Sequence, residues 1–253
     1  MLKTERLEKL LELCHQQGSL SVRQAARSFD ISEMTARRDF DELAAAGRVI
    51  REHGGIRLPN ALQAPPTELP YFEKLSIRPQ EKQDIARAAC GLIKEKDTVF
   101  LGPGSTCASI ARLLPAVPLR VVTNSLIAFS ILQRNEAIEI CVLSGQYRSR
   151  SGSLIGAVTE EMLSPMGIDK CFIGANGVSG GTAFTSNLDE GRLQSLACDR
   201  SGERYLVCDA SKIGQQDFYN FCNLDRIDAV ITDASATPEQ RAAIEASTRL
   251  IIA

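Results

Sequence analysis

From residue 98 to the end of the chain, short apolar runs alternate with helical stretches, and no other feature narrows the possible folds as much. The runs at 98–101, 119–123, 138–143, 170–175, 205–208, 229–232 and 250–252 have the length and aliphatic content of buried strands. Helical stretches at 107–114, 126–133, 191–199 and 238–246 lie between them, and an amphipathic helix carrying Ile85, Ala86, Ala89, Leu92 and Ile93 precedes them. Strands joined through helices are crossover units. The expected fold class is therefore α/β with a mainly parallel sheet. Ligands of such sheets bind where strand C-termini meet the following loops. The polar residues just after each run are the candidates.

Gly102-Pro103-Gly104-Ser105-Thr106 follows the first run and opens a helix. Its glycines let backbone N–H groups approach an anion, the hydroxyls of Ser105 and Thr106 add donors, and the helix N-terminus adds a favourable dipole. It matches neither a Walker A loop nor a G-x-G-x-x-G fingerprint, so a small phosphate is expected rather than a nucleotide. Asn124 and Ser125 follow the second run. They either meet sugar hydroxyls or cap the next helix. Asn176 follows the fourth run, and Asn187 and Glu190 lead into a helix after the Gly180-Gly181 turn. Lys212 stands in Asp209-Ala210-Ser211-Lys212 after the fifth run. A lone lysine there would ordinarily face solvent. Beside four other polar clusters at strand ends, a convergent effector site is the more economical reading.

Five prolines between Pro59 and Pro79 lack backbone donors and mark a linker, with Tyr71 and Phe72 as residues that could dock on either side. Before it lies a different grammar. Leu7, Leu10, Leu11 and Cys14 mark one face of a helix. Ser21 and Gln24 have capping-box spacing and open a second helix. Asp30-Ile31 turns into a third helix capped by Ser32, whose Ala36, Phe40 and Leu43 recur at helical spacing and point inward. Thr35, Arg37 and Arg38 fall off that stripe, where hydroxyl and guanidinium groups suit phosphates and guanine edges of a major groove. Runs 49–51 and 56–58, joined through Glu52-His53-Gly54-Gly55, read as a hairpin wing. Arg51 is expected on the sugar-phosphate backbone. His53 either joins it there or is a bare turn residue.

The run from Ser32 to Phe40, S-E-M-T-A-R-R-D-F, together with Arg6 and the R-E-H-G-G run from Arg51 to Gly55, resembles the N-terminal domain of DeoR-type bacterial transcription regulators. Residues 74–253 resemble the sensor domain of the same regulators, itself similar to ribose-5-phosphate isomerase. The resemblance implies a winged helix-turn-helix domain at 1–58, a linker at 59–79 and an α/β effector-binding and oligomerisation domain at 80–253. It implies a transcriptional repressor of a carbohydrate-utilisation operon that binds double-stranded operator DNA. Its effector would be a phosphorylated sugar or polyol, and it would act as a homo-oligomer, dimer or tetramer. The alternative is a sugar-phosphate isomerase with an accessory DNA-binding domain. Asn176 weighs against that, because it aligns with an acidic residue of the isomerases and an amide is no general base near neutral pH. No catalytic residue and no cofactor is therefore expected.

Composition adds exclusions. The net charge is -2, and Arg37, Arg38, Arg48, Arg51 and Arg57 cluster in one short region. No apolar run approaches the roughly 20 residues of a membrane span, and Met1 to Arg6 lead into no apolar signal segment. The eight cysteines form no C-x-x-C pair, so neither a metal site nor a disulfide framework is expected, and a reducing cytoplasm is the simplest compartment.

Overall fold

The computed structural model describes residues 3–17, 19–45, 48–52, 54–57 and 68–253. The chain divides into two units, Met1–Thr67 and Glu68–Ala253.

In the first unit, α1 (Lys3–Gln17) buries Leu10, Leu11 and Cys14. A short strand β1 (Ser19–Ser21) leads into α2 (Val22–Phe29), where Ser21 and Gln24 form the expected capping box. Asp30 closes α2 in a left-handed conformation, its N–H donating to the Ala26 carbonyl, and the chain turns into α3 (Glu33–Ala45). Ala36, Phe40 and Leu43 of α3 enter a small core with Leu10, Leu20, Ala25 and Ile56. The wing is β2 (Ile50–Glu52) against β3 (Gly55–Arg57), antiparallel, with β1 on the outer side of β3. Gly54 turns the hairpin at φ +86, and a Cβ on Gly55 would come 2.6 Å from the Leu20 carbonyl oxygen, so β1 packs this close only against glycine. The strand β1 carries two serines in three residues and gave no apolar signal; its pairing with β3 is what makes it a strand.

The second unit opens with α4 (Tyr71–Leu75) and α5 (Pro79–Cys90). There follow β4 (Thr98–Leu101), α6 (Ser105–Leu113), β5 (Leu119–Thr123), α7 (Leu126–Leu132), β6 (Ile138–Val142), β7 (Gln146–Arg148), β8 (Ser153–Ile155) and α8 (Ala157–Leu163). Then come β9 (Ile168–Gly174), β10 (Gly177–Ser179), β11 (Thr182–Thr185), α9 (Leu188–Asp199), β12 (Ser201–Val207), β13 (Tyr219–Asn223), β14 (Ala229–Thr232), α10 (Pro238–Glu245) and β15 (Arg249–Ile252). Seven strands form one sheet, in the order β15-β14-β12-β9-β4-β5-β6, with every pairing parallel. Alternate residues feed opposite cores. Val99 and Leu101 of β4 join Ile85, Ala89, Ile110 and Ala128 of α5, α6 and α7. Phe100 joins Leu163, Leu193, Ala197 and Ile244 of α8, α9 and α10, together with Val178, Ala183 and Phe221 of the small antiparallel sheet β10-β11-β13. The result is a sheet covered on both faces, as an all-parallel sheet requires.

The expected linker at 59–79 is shorter in the structure. Residues 68–79 belong to the second unit, with Tyr71 buried and its N–H donating to the Arg150 carbonyl, while Phe72 stays 75% exposed. Prolines ended helices here without preventing docking: Pro70 caps α4 and Pro79 opens α5, at the first turn where a missing N–H costs nothing. Residues 58–67 lie outside those described.

Candidate functional site

The reading helix is held from behind and open in front. Arg6 of α1 grips Asp39 of α3 with two bonds, Nε to Oδ2 at 2.6 Å and Nη2 to Oδ1 at 3.1 Å. Asp39 is only 2% exposed, so this pair fixes the angle between α1 and α3. Ser32 caps α3 as expected: its Oγ accepts the Thr35 N–H at 3.1 Å and lies 2.9 Å from the Thr35 hydroxyl. Arg37 and Arg38 are exposed. Arg37 sits 3.5 Å from Glu33, which also faces Arg23 at 3.8 Å; Arg38 pairs with no carboxylate among the described residues. Arg51 is placed differently from its neighbours. Its guanidinium donates to Asp41 at 2.6 Å and to the Gly55 carbonyl at 2.9 Å, and lies 5.6 Å over the Phe40 ring. It thus clamps the wing to the reading helix, and any phosphate contact would compete with that clamp. His53 lies outside the described residues.

In the second unit, an all-parallel sheet puts every strand C-terminus on one edge, so the loops after β4, β5, β9, β12 and β14 share it. The chain runs from β4 outward to β5 and β6, then returns to β9 on the other side of β4. The strand order reverses between β4 and β9, and the crevice at such a switch point is where a ligand fits. The Gly102–Thr106 loop lies there. The Gly102 N–H donates to the Phe172 carbonyl of β9 at 3.0 Å, and a Cβ on Gly102 would touch that oxygen at 3.4 Å. Gly104 precedes α6 at φ +118 with no side-chain cap, leaving the first-turn amides of α6 free for an anion. The Ser105 and Thr106 side chains are largely buried, and neither hydroxyl is hydrogen-bonded among the described residues.

The other candidates divide. Ser125 caps α7, its Oγ accepting from the Ala128 N–H at 3.1 Å, and Asn187 caps α9 through the Glu190 N–H at 3.0 Å. Asn124 donates to the Leu154 carbonyl at 2.9 Å, tying β5 to β8, while its own Oδ1 is buried with no hydrogen-bond partner among the described residues. Glu190 and Asn176 join a charged chain that the sequence did not reveal. Glu190 Oε1 accepts from Arg148 at 3.2 Å and from Ser153 at 3.3 Å. Arg148 holds Glu68 at 2.5 Å, and Lys74 bridges Glu68 and Asn176 at 3.4 Å each. Asn176 then donates to Asp217 at 2.9 Å. Burial by itself would push the Glu68 carboxyl up; the Arg148 hydrogen bond and the Lys74 charge outweigh it and hold Glu68 below the ordinary carboxylate range.

Lys82 is buried, its ammonium closing the end of α4 through the Lys74 and Ile77 carbonyls at 2.5 Å each. Burial lowers its pKa, Asp209 opposes the shift, and the nearby charges of Lys212 and Lys74 add to it. Lys212 itself is half-buried and pairs with no carboxylate among the described residues. Arg78 reaches Ser235 at 3.0 Å and stands 3.8 Å from Asp209. Lys74 and Arg148 thus share Glu68, Lys82 bonds the Lys74 carbonyl, and the charges of Asp209 and Lys212 reach Lys82. Glu68, Lys74 and Arg78 were hidden inside a proline-rich stretch. The one available signal for Arg148 was its closeness to Arg150 between serines. The cysteines take no part: all eight are free thiols, and burial pushes Cys107 and Cys208 up to about 12.

Among the described residues no helix is long and apolar enough to cross a membrane. Comparison with known proteins agrees with both halves of the geometry. The profile described as DeoR-like helix-turn-helix domain matches residues 6–61, and that of the DeoR C terminal sensor domain matches residues 77–234. A lactose phosphotransferase system repressor of Lactococcus lactis is 38% identical over 242 residues, 94% of each chain. One of Streptococcus mutans is 39% identical over 235 residues, 92% of this chain and 93% of the relative. Among solved structures, a ribose 5-phosphate isomerase A of Methanocaldococcus jannaschii aligns over 52% of each chain at 20% identity, with a TM-score of 0.39. With both domains matched in order along nearly the whole chain, this protein belongs to the DeoR family of DNA-binding transcription regulators, a family of regulators and not of enzymes.

Proposed function

We propose that this protein represses a carbohydrate-utilisation operon and that a phosphorylated sugar or polyol, bound at the β4–β9 strand-end crevice, controls its hold on operator DNA. It works in the cytoplasm as a homo-oligomer, dimer or tetramer, since two linked readers raise affinity through effective concentration. The observation that carries the reading is the crevice itself. An uncapped helix N-terminus and the hydroxyls of Ser105 and Thr106 lie where the strand order reverses, and Lys212 follows β12 on the same sheet edge; among the described residues none of these side chains has a hydrogen-bond or carboxylate partner. A dianionic phosphate complements that set through helix N–H groups and one ammonium. The polar chain from Asn176 to Glu190 offers the acceptors and donors that sugar hydroxyls need. The Arg37–Arg38 face of α3 supplies the DNA contacts, with Ser32 and Thr35 at its N-terminus.

The test is a panel of sugar and polyol phosphates, with their unphosphorylated counterparts, against the full-length chain. The lactose-system names of the relatives put hexose phosphates at its head. A cognate compound at a hundredfold excess over its Kd stabilises the native state by about 2.7 kcal/mol, read as a rise in the melting temperature. The same compound shifts the DNA affinity of the protein, and Lys212→Ala removes both effects. A panel that leaves melting and DNA affinity unmoved overturns the reading.

A further inference from the structure

Met34 is the second residue of α3 and is 66% exposed, with the charged residues Arg37, Arg38 and Asp41 beside it on the outward face. A helix turns about 100° per residue. The buried residues Ala36, Asp39, Phe40 and Leu43 set the inward direction. Counted from there, Met34 points almost straight away from the core, with Arg37 one turn on at one side and Arg38 at the other. Thr35 lies to the side, and its hydroxyl is engaged with Ser32. The centre of the face that Arg37 and Arg38 present is thus an unbranched thioether and not a hydrogen-bonding group.

We propose that Met34 reads a thymine in the operator by covering its C5-methyl group, and that this contact is a specificity determinant of the protein. The inference rests on the DNA-binding role of α3. The flanking guanidinium groups select the surroundings: cations on both sides draw phosphates and guanine edges, and the major groove displays just one apolar group between them, the thymine methyl. A helix entering that groove by its N-terminal residues brings its second residue to the base edges. Methionine has three rotatable bonds and a polarizable sulfur, so it covers a methyl group without needing a rigid fit.

The test begins with in vitro selection of a duplex from a randomised library on the full-length chain. Each thymine of the recovered duplex is then replaced by deoxyuridine, which removes the methyl group and leaves pairing intact. One thymine in each half-site is expected to lose about fourfold in affinity on replacement, the worth of one buried methyl group. Met34→Ala, which loses the contact in both half-sites, is expected to bind the parent duplex about sixteenfold more weakly and to be indifferent to uridine at that position, whereas Met34→Leu keeps the methyl dependence. The side chain is exposed, so neither variant threatens the fold. Equal uridine losses in the parent protein and in Met34→Ala overturn the proposal while leaving DNA binding by α3 intact. So does a scan in which no thymine methyl matters. Failure to enrich any duplex overturns the DNA-binding role and this contact together.

Discussion

Arg6 and Asp39 form a buried ion pair in the reader, both of its hydrogen bonds lying where Asp39 has almost no water. Removing one partner leaves the other charge buried and unpaired. Asp39→Asn is therefore expected to destabilise the reader by about 3 kcal/mol, near the low end for broken buried pairs since Arg6 keeps some solvent access. Hydrogen exchange of the α1 and α3 amides in the full-length chain reads this directly, with the sensor amides unchanged as the internal control. Gly104 poses the opposite case. Nothing lies within 4 Å of where its Cβ would stand, so Gly104→Ala meets no clash; its cost is the backbone at φ +118, about 1–3 kcal/mol if the loop holds its shape. If the loop relaxes instead, the α6 amides swing off the anion. Either way, isothermal titration with a cognate sugar phosphate should show at least tenfold weaker binding, while the far-ultraviolet spectrum stays native.

Two elements do work that their propensities do not advertise. Along α3, Arg37 is already near Glu33 while Arg38 has no carboxylate partner among the described residues, so their phosphate contacts should differ. Arg38→Ala is expected to reduce the slope of log affinity against log salt by about one, and Arg37→Ala by less, in binding titrations between about 50 and 200 mM salt. The segment from Glu68 to α5 is the second case. Glu68 links Arg148 and Lys74 with its carboxylate and receives the Arg150 guanidinium on its carbonyl, so it anchors the start of the second unit. Its folded pKa lies below the ordinary 4.5, so the ionised carboxylate stabilises the fold above that pH, and the stabilisation is lost as pH falls through the lower folded value. Glu68→Gln is expected to cost about 2 kcal/mol at pH 7 in urea denaturation of the sensor unit, with the gap to the parent closing on acidification below that window. A gap that is flat with pH would mean that the carboxylate charge is not what holds the segment.

At the scale of the whole molecule, regulation is a coupling free energy, and it must be reciprocal. If a sugar phosphate changes operator affinity by some factor, operator DNA must change sugar-phosphate affinity by the same factor, roughly 5- to 150-fold for ordinary allosteric proteins. Measuring the effector Kd with and without saturating duplex tests this, and unequal factors would mean that the two ligands do not share one equilibrium. Much of the architecture was written along the chain. Strand–helix alternation fixes a crossover sheet because β4, β5, β9, β12, β14 and β15 are aliphatic over several residues, and the capping box at Ser21 and the 32–43 periodicity are local signals of the reader helices. The elements that escaped were β1, α4, β7, β8, α8, β10, β11 and β13; of these β1, β7 and β10 are short and polar, have no apolar period of their own and exist through their pairing partners. The site followed the same rule. Gly104, Ser105 and Lys212, proposed for the effector site, could be named from their place in the alternation. Glu68, Lys74, Lys82 and Arg148 could not, because their meaning is a set of distances across as many as 102 residues of chain. Ser125 and Asn187 became caps only when their helices were in place. Sequence by itself determines local periodicity, and hence the kinds of element and their order. Which charges meet is a property of the folded sheet and its loops, since Coulomb and hydrogen-bond energies depend on separation in space and not on separation along the chain.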